Sequence, residues 1–202
     1  MTNKGRLIVF SAPSGCGKGT MLAEILKDEG FRCSVSATTR TPREGEIDGV
    51  NYHFLTTEDF QHKIAENAFL EHAVYCGNHY GTLVSEVDGY LEKGINVILE
   101  IEVQGAMKIR ELRPDALFIF IAPPSVAELR RRLNKRGTES QEVIDKRVAE
   151  AANEIPFAKK YDYIIVNAAL ENAVSDFFAV IRAEQLKQSS QSKFIDEVIE
   201  NA

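Results

Sequence analysis

Tryptophan is absent from the 202-residue chain, and cysteine occurs only three times. Cys16, Cys33 and Cys76 are odd in number and lack C-x-x-C spacing, which excludes a disulfide framework or thiolate zinc site and suits a reducing cytoplasm. His53, His62, His72 and His79 form no metal-ligand pattern either. Long apolar runs are missing: the longest, residues 116–122, falls far short of the roughly 18 residues that cross a membrane. Residues 7–10 run straight into Ser11-Ala-Pro13, too short for a secretory core of about 7 to 15 residues, so this start is read as a strand. An excess of positive charge is also lacking, since 24 Lys and Arg against 30 Asp and Glu leave a net charge of −6. General binders of nucleic acid or anionic membranes are basic, so neither partner is expected and any anion must be held by a local cluster.

What is present is an ordinary globular composition, 44% hydrophobic and 27% charged, in a chain long enough to bury a core unaided. Apolar residues 7–10, 33–35, 97–103, 117–121 and 163–166 are too continuous for strands buried on one face. Helical patterns fall between them at 18–29, 84–93, 104–113, 126–136, 141–154 and 171–188. Gly94 and Gly137 sit where C-terminal caps belong, and Pro114 stops the third helix. The expected fold class is α/β: a doubly wound parallel sheet flanked by helices. Two stretches break the alternation. Residues 38–81 are rich in turns and aromatics and read as an inserted region, whereas 126–154 hold no strand and are dense in arginine, reading as a helical lid. Residues 1–37, 82–125 and 155–202 then make up the core domain. Near the end, Phe194, Ile195, Val198 and Ile199 stand at helical spacing and are expected to pack on the chain's own core. A homo-oligomer is compatible with the sequence, but no interface is legible.

Ala12-Pro13-Ser14-Gly15-Cys16-Gly17-Lys18-Gly19-Thr20 follows the first strand and opens the first helix. In that context glycines let backbone N–H groups and a helix N-terminus face phosphates, with Lys18 as a point charge on the outer ones. Ala12 replaces the usual first glycine, and Gly19 replaces the hydroxyl residue that commonly contacts Mg²⁺. Thr20 then becomes the candidate substitute, or phosphates and water hold the ion. Cys16 lies where the helix dipole and Lys18 are expected to favour its thiolate and make it reactive.

Arg40 and Arg43 flank Pro42, which excludes a regular helix and leaves two guanidiniums able to fork onto one phosphate. Glu100 and Glu102 end a buried strand, at the edge where such sheets bind ligands. Glu100 is the candidate to hold a water on Mg²⁺. Arg132 and Arg136 lie four apart on one helix and Arg147 lies on the next, a cluster suited to charge developing on a transferring phosphoryl group. Arg130 and Arg131 are read as surface.

With the phosphate loop, Ser36-Ala-Thr-Thr-Arg-Thr-Pro-Arg43, Gly77-Asn-His-Tyr-Gly81, Leu99-Glu-Ile-Glu-Val-Gln-Gly105, Ile121-Ala-Pro-Pro-Ser125, Arg136-Gly-Thr138 and Ile165-Val-Asn167, the sequence resembles the guanylate kinases over residues 6–186. These enzymes phosphorylate GMP with ATP. The resemblance implies that 38–81 bind GMP, with Arg40, Arg43, Tyr52 and Tyr80 on its phosphate and Ser36, Glu71, Thr82 and Glu102 reading guanine. A carboxylate accepts from guanine N1–H and the 2-amino group, whereas adenine offers an acceptor at N1. Glu46 matches a family position and could equally orient Arg43, while Glu102 stands where the family commonly carries aspartate. The resemblance further implies that Arg132, Arg136 and Arg147 are catalytic clamps beside Lys18 and Arg43 in a lid closing over ATP, that Asn167 lies near adenine, and that dGMP is accepted too. Two other readings remain open: a non-catalytic member binding a protein partner, and a phosphate-loop kinase for another small acceptor. A GTPase is disfavoured because no Asn-Lys-x-Asp segment accompanies the loop.

Overall fold

Leu7–Ser11 (β1) is apolar enough to require cover on both faces, and all five residues are buried. The computed structural model describes residues 4–75, 77–137 and 140–200, with the side chains of Tyr75, Arg136 and Lys193 outside the description. β1 is followed by α1 (Lys18–Ile25), β2 (Phe31–Cys33), β3 (Ser36–Thr38), β4 (His53–Phe54), α2 (Thr57–Ala65), β5 (Phe69–Tyr75) and β6 (Asn78–Leu83). Next come α3 (Val84–Leu91), β7 (Asn96–Glu100), α4 (Val103–Leu112), β8 (Leu117–Ala122), α5 (Val126–Arg136) and α6 (Gln141–Glu154). A 3-10 segment (Ile155–Lys160), β9 (Tyr163–Val166), α7 (Leu170–Leu186) and α8 (Gln188–Glu200) complete the order.

Five strands form a wholly parallel sheet in the order β2-β7-β1-β8-β9. Because successive residues of a strand face opposite sides, Ile8, Phe10, Ile98 and Ile119 meet Met21 and Ile25 of α1 and Phe177 of α7. Leu7, Val9, Leu99 and Phe118 meet Val87 and Leu91 of α3 and Ala106 and Ile109 of α4. Each such side chain contributes about 1.5–3 kcal/mol on burial. The doubly wound sheet expected from the sequence is therefore the fold.

A second sheet, β4-β3-β6-β5, pairs β3 and β5 antiparallel to β6 and β4 parallel to β3. Its own small core is Ala37, Leu83 and Phe60 of α2, with Phe60 stacked on Phe69 at 4.3 Å between centroids. The strand expected at 33–35 divides: β2 ends at Cys33 in the parallel sheet, and β3 begins at Ser36 in the second. The lid helices start on serine caps. Ser125 Oγ accepts from Glu128 N at 3.0 Å, and Ser140 Oγ accepts from Val143 N at 3.4 Å.

The terminal helix departs from expectation. α8 leaves Phe194, Ile195, Val198 and Ile199 48%, 50%, 51% and 67% exposed, so its apolar stripe does not dock on the chain's own core. Lys187 at the end of α7 adopts an extended backbone (ψ 141), which turns α8 away from the line of α7. Ser190 Oγ, accepting from Arg6 Nη2 and donating to Glu184 O, fixes that turn.

Candidate active site

The carboxyl ends of the parallel strands gather the phosphate-loop residues. Ala12 to Gly17 connect β1 to α1, with Gly15 and Gly17 at φ 90° and 81°, a backbone that side chains other than glycine rarely adopt. Gly17 occupies the cap position of α1 without a side-chain bond, and the first turn holds no acidic residue, so the helix start presents bare N–H groups. Lys18 Nζ lies 3.6 Å from Glu100 Oε1, and Glu100 pairs with Phe10 of β1 at the end of β7. Thr20 is exposed on α1.

Among the described residues no three His, Cys, Asp or Glu side chains converge to cage a metal ion. One carboxylate beside the loop lysine, with no hydroxyl at Gly19, instead fits Mg²⁺ carried largely by phosphate oxygens and water.

Cys16 overturns the reactivity expected of it. Its side chain is fully buried with Leu129, Leu133, Ile144, Val148 and Ala151 of the lid. Burial pushes the thiol up to about 12, outweighing Arg132 and Lys18, while Glu154 adds to the rise. Glu154, at the end of α6, is itself raised, first by burial and then by Glu102.

The second sheet assembles the other candidate set by register. Ser36 pairs with Thr82 across β3 and β6, and Thr82 pairs with Glu71 across β6 and β5, so three residues far apart in sequence form one row. Thr82 Oγ1 donates to Glu71 Oε1 at 3.0 Å. A Cβ on Gly105 of α4 would stand 3.6 Å from Glu71 Oε2, so the carboxylate faces the start of that helix. Glu102 caps α4 without a side-chain bond.

Arg40 is already held in place. Its Nη2 donates to Glu46 Oε1 at 2.8 Å and its Nη1 to Thr41 O at 2.8 Å. The guanidinium lies 5.4 Å from the Tyr52 ring, which meets Tyr80 edge-on at 6.0 Å. Glu46 Oε2 accepts from Arg43 N at 2.7 Å. Glu46 thus orients Arg40 through its side chain and Arg43 through its backbone. Arg40, then the Arg43 amide, holds its carboxyl below the usual carboxylate range.

In the lid, Arg132 Nε donates to Glu128 Oε1 at 2.8 Å, and its Nη2 donates to Asn167 O at 2.9 Å. Glu128, whose role spacing alone does not reveal, is pulled down to about 2 by Arg131 and then Arg132. Arg130 pairs with Asp145 of α6, and Arg131 pairs with Glu128, both as exposed ion pairs. Arg147 lies on α6, and the Arg136 side chain falls outside the described residues. Asn167, expected beside adenine, directs its side-chain amide inward to Cys16 O at 2.8 Å. No helix among the described residues is long and apolar enough to cross a membrane.

Known proteins match this arrangement along most of its length. A guanylate kinase from Latilactobacillus sakei subsp. sakei (strain 23K) is 51% identical over 189 residues, covering 93% of each chain. One from Halalkalibacterium halodurans is 50% identical over 186 residues, 92% of this chain and 91% of that one. The crystal structure of guanylate kinase from Anaplasma phagocytophilum superposes with a TM-score of 0.73 at 35% identity, covering 92% of this chain and 88% of the other. The sequence model described as guanylate kinase matches residues 4–184, and the chain belongs to the guanylate kinase family.

Proposed function

We propose that the protein transfers the γ-phosphoryl group of ATP to GMP, giving GDP and ADP. The observation that carries the reading is the row of Ser36, Thr82 and half-buried Glu71 on one sheet, with a phosphate loop at the edge of the other. Glu71 accepts from guanine N1–H and the 2-amino group, with Thr82, Ser36 and Glu102 beside it. Arg40, Arg43, Tyr52 and Tyr80 hold the GMP phosphate. None of these contacts needs a ribose 2′-hydroxyl, so dGMP is a substrate as well.

The loop from Ala12 to Thr20 and the open start of α1 grip the ATP phosphates, with Lys18 on the outer ones. The acceptor oxygen of GMP is already anionic, so no general base is required; alignment and charge neutralisation carry the rate. Arg132, Arg136 and Arg147 take up charge on the transferring group, and closure of 126–154 over the core keeps water from the phosphoryl group. When Mg²⁺ is bound it supplies charge neutralisation on the ATP phosphates, with Glu100 holding one of its waters. Residues 38–81 act as the GMP-binding unit of this scheme. The free thiols of Cys16 and Cys33 fit a cytoplasmic enzyme.

The test is a coupled assay of ADP release with GMP, dGMP, AMP, CMP and UMP as acceptors. GMP and dGMP are expected to lead by orders of magnitude, and Glu71→Gln is expected to lower kcat/KM for GMP by about two to three orders with the fold intact, since a buried site built for one hydrogen-bond pattern rejects another. Preference for AMP, or no acceptor-dependent release, would refute the reading.

A further inference from the structure

Two grips meet on the phosphate loop. In the first the lid closes in: a Cβ on Gly15 would lie 2.8 Å from Leu133 Cδ2 and 3.0 Å from Leu129 Cδ1, and the Cys16 side chain is buried in the same cluster. The second is Asn167, only 5% exposed, whose Nδ2 donates to Cys16 O at 2.8 Å. The same nitrogen sits 2.8 Å from where a Cβ on Gly17 would be, so only glycine lets the amide come this close. Arg132 of the lid joins the two grips by donating to Asn167 O at 2.9 Å and to Ala168 O at 3.3 Å.

The consequence follows from peptide geometry. A trans peptide unit is planar, so fixing the direction of the Cys16 carbonyl fixes the Gly17 N–H in the opposite direction. Gly17 lacks a Cβ, so the Cys16–Gly17 unit resists a peptide flip less than it would with a side chain at position 17. A flipped unit would aim a carbonyl oxygen where an N–H stands. An amide anchored on Cys16 O prevents that flip whatever base the nucleotide carries.

We infer that Asn167 is a positioning residue for the donor's phosphates and is blind to the base: it holds the Cys16–Gly17 peptide so that an N–H faces the phosphates, and Arg132 ties the lid to the backbone of Asn167 itself. This rests on the kinase reading above and differs from an adenine contact in what it predicts. Binding of ATP and of inorganic tripolyphosphate is measured by calorimetry on the wild-type chain and on Asn167→Ala. Both ligands are expected to bind the variant about tenfold more weakly, the effect of one lost buried hydrogen bond. The KM for ATP should rise in step while that for GMP holds, a split that general destabilisation does not produce. Weakening confined to ATP, with tripolyphosphate unchanged, would make Asn167 a base reader and overturn the inference; no weakening of either ligand would overturn it too. Wild-type protein that binds neither ligand would instead bring down the kinase reading and this one together. Should Asn167→Ala fail to fold, the side-chain amide signal of Asn167 in the isotope-labelled wild-type protein decides. It should respond alike to tripolyphosphate and ATP, and a response to ATP alone would overturn the inference.

Discussion

Burial pushes the Glu71 carboxyl above the usual carboxylate range, opposed by the Thr82 hydroxyl and by Lys108. The folded chain therefore binds this proton more tightly than the unfolded chain does. Stability contributed by the protonated form is lost as pH rises from the ordinary carboxylate value through the raised one. The ionised group is a standing cost that, under the proposed function, guanine's two N–H donors relieve. Glu71→Gln should accordingly melt higher than the parent at pH 7, with the gap closing in acid, even as GMP turnover collapses. In the parent, the KM for GMP should climb as pH falls into the region where Glu71 takes up its proton. Melting curves and initial rates over the same pH series check both limbs. Cys16 carries the opposite lesson. A loop thiol beside Lys18 reads as reactive in sequence, but full burial against Leu129 and Leu133 keeps it neutral, with a value of about 12. Iodoacetamide at pH 8 is expected to leave Cys16 unmodified in the folded protein and to label it after denaturation, as peptide mass mapping would show.

At the scale of elements, what was legible was whatever is locally determined. α5 and α6 span the residues 126–136 and 141–154 that the helical pattern predicts. Four of the five strands of the parallel sheet announce themselves by continuous apolar residues, as in Leu117–Ala122, whereas β2 carries the exposed Arg32. The second sheet was illegible because β3 and β4 are only three and two residues long and β5 and β6 mix polar with apolar residues. Glu71 and Thr82 were named through resemblance, but their adjacency is a matter of register, which no spacing encodes. Arg132 was likewise visible as a lid arginine, while its bond to Asn167, 35 residues on, was not. The caps make a prediction at this scale. Ser125→Ala removes the acceptor for Glu128 N and should cost about 1 kcal/mol, because a helix start loses its side-chain partner. The loss should appear as faster amide exchange in α5 rather than in β1, since the lid has its own core.

For the whole molecule, the candidate site and an ionic clip occupy opposite ends of the parallel strands. The loop, Glu100 and Asn167 sit at the carboxyl ends of β1, β7 and β9. Arg6 and Tyr163 sit at the amino ends of β1 and β9, where they converge on Glu184 of α7, 3% exposed. Tyr163 Oη donates to Glu184 Oε1 at 2.7 Å, Lys187 Nζ lies 2.5 Å from the same oxygen, and Arg6 Nη1 lies 3.5 Å from Oε2. Burial alone would raise this carboxyl, but Lys187, Tyr163 and Arg6 together hold it below the ordinary range. A depressed value means stability that is present above the unfolded-state pKa and lost as pH falls through the folded one. Glu184→Gln keeps the shape and an acceptor for Tyr163 but removes the charge that Arg6 and Lys187 answer. It should cost about 1.5–3 kcal/mol at pH 7, the range for hydrogen bonds to charged groups. The deficit should shrink toward zero in acid, where the parent has lost the same charge. Because the clip lies across the sheet from the phosphate loop, KM for ATP and GMP should be unchanged at temperatures where the variant is folded. Denaturant melts at neutral and acid pH, paired with initial rates at 25 °C, separate the two quantities. A variant as stable as the parent at neutral pH would show that Glu184 has no net stabilising role, and a raised KM would show that the two ends are coupled through the sheet.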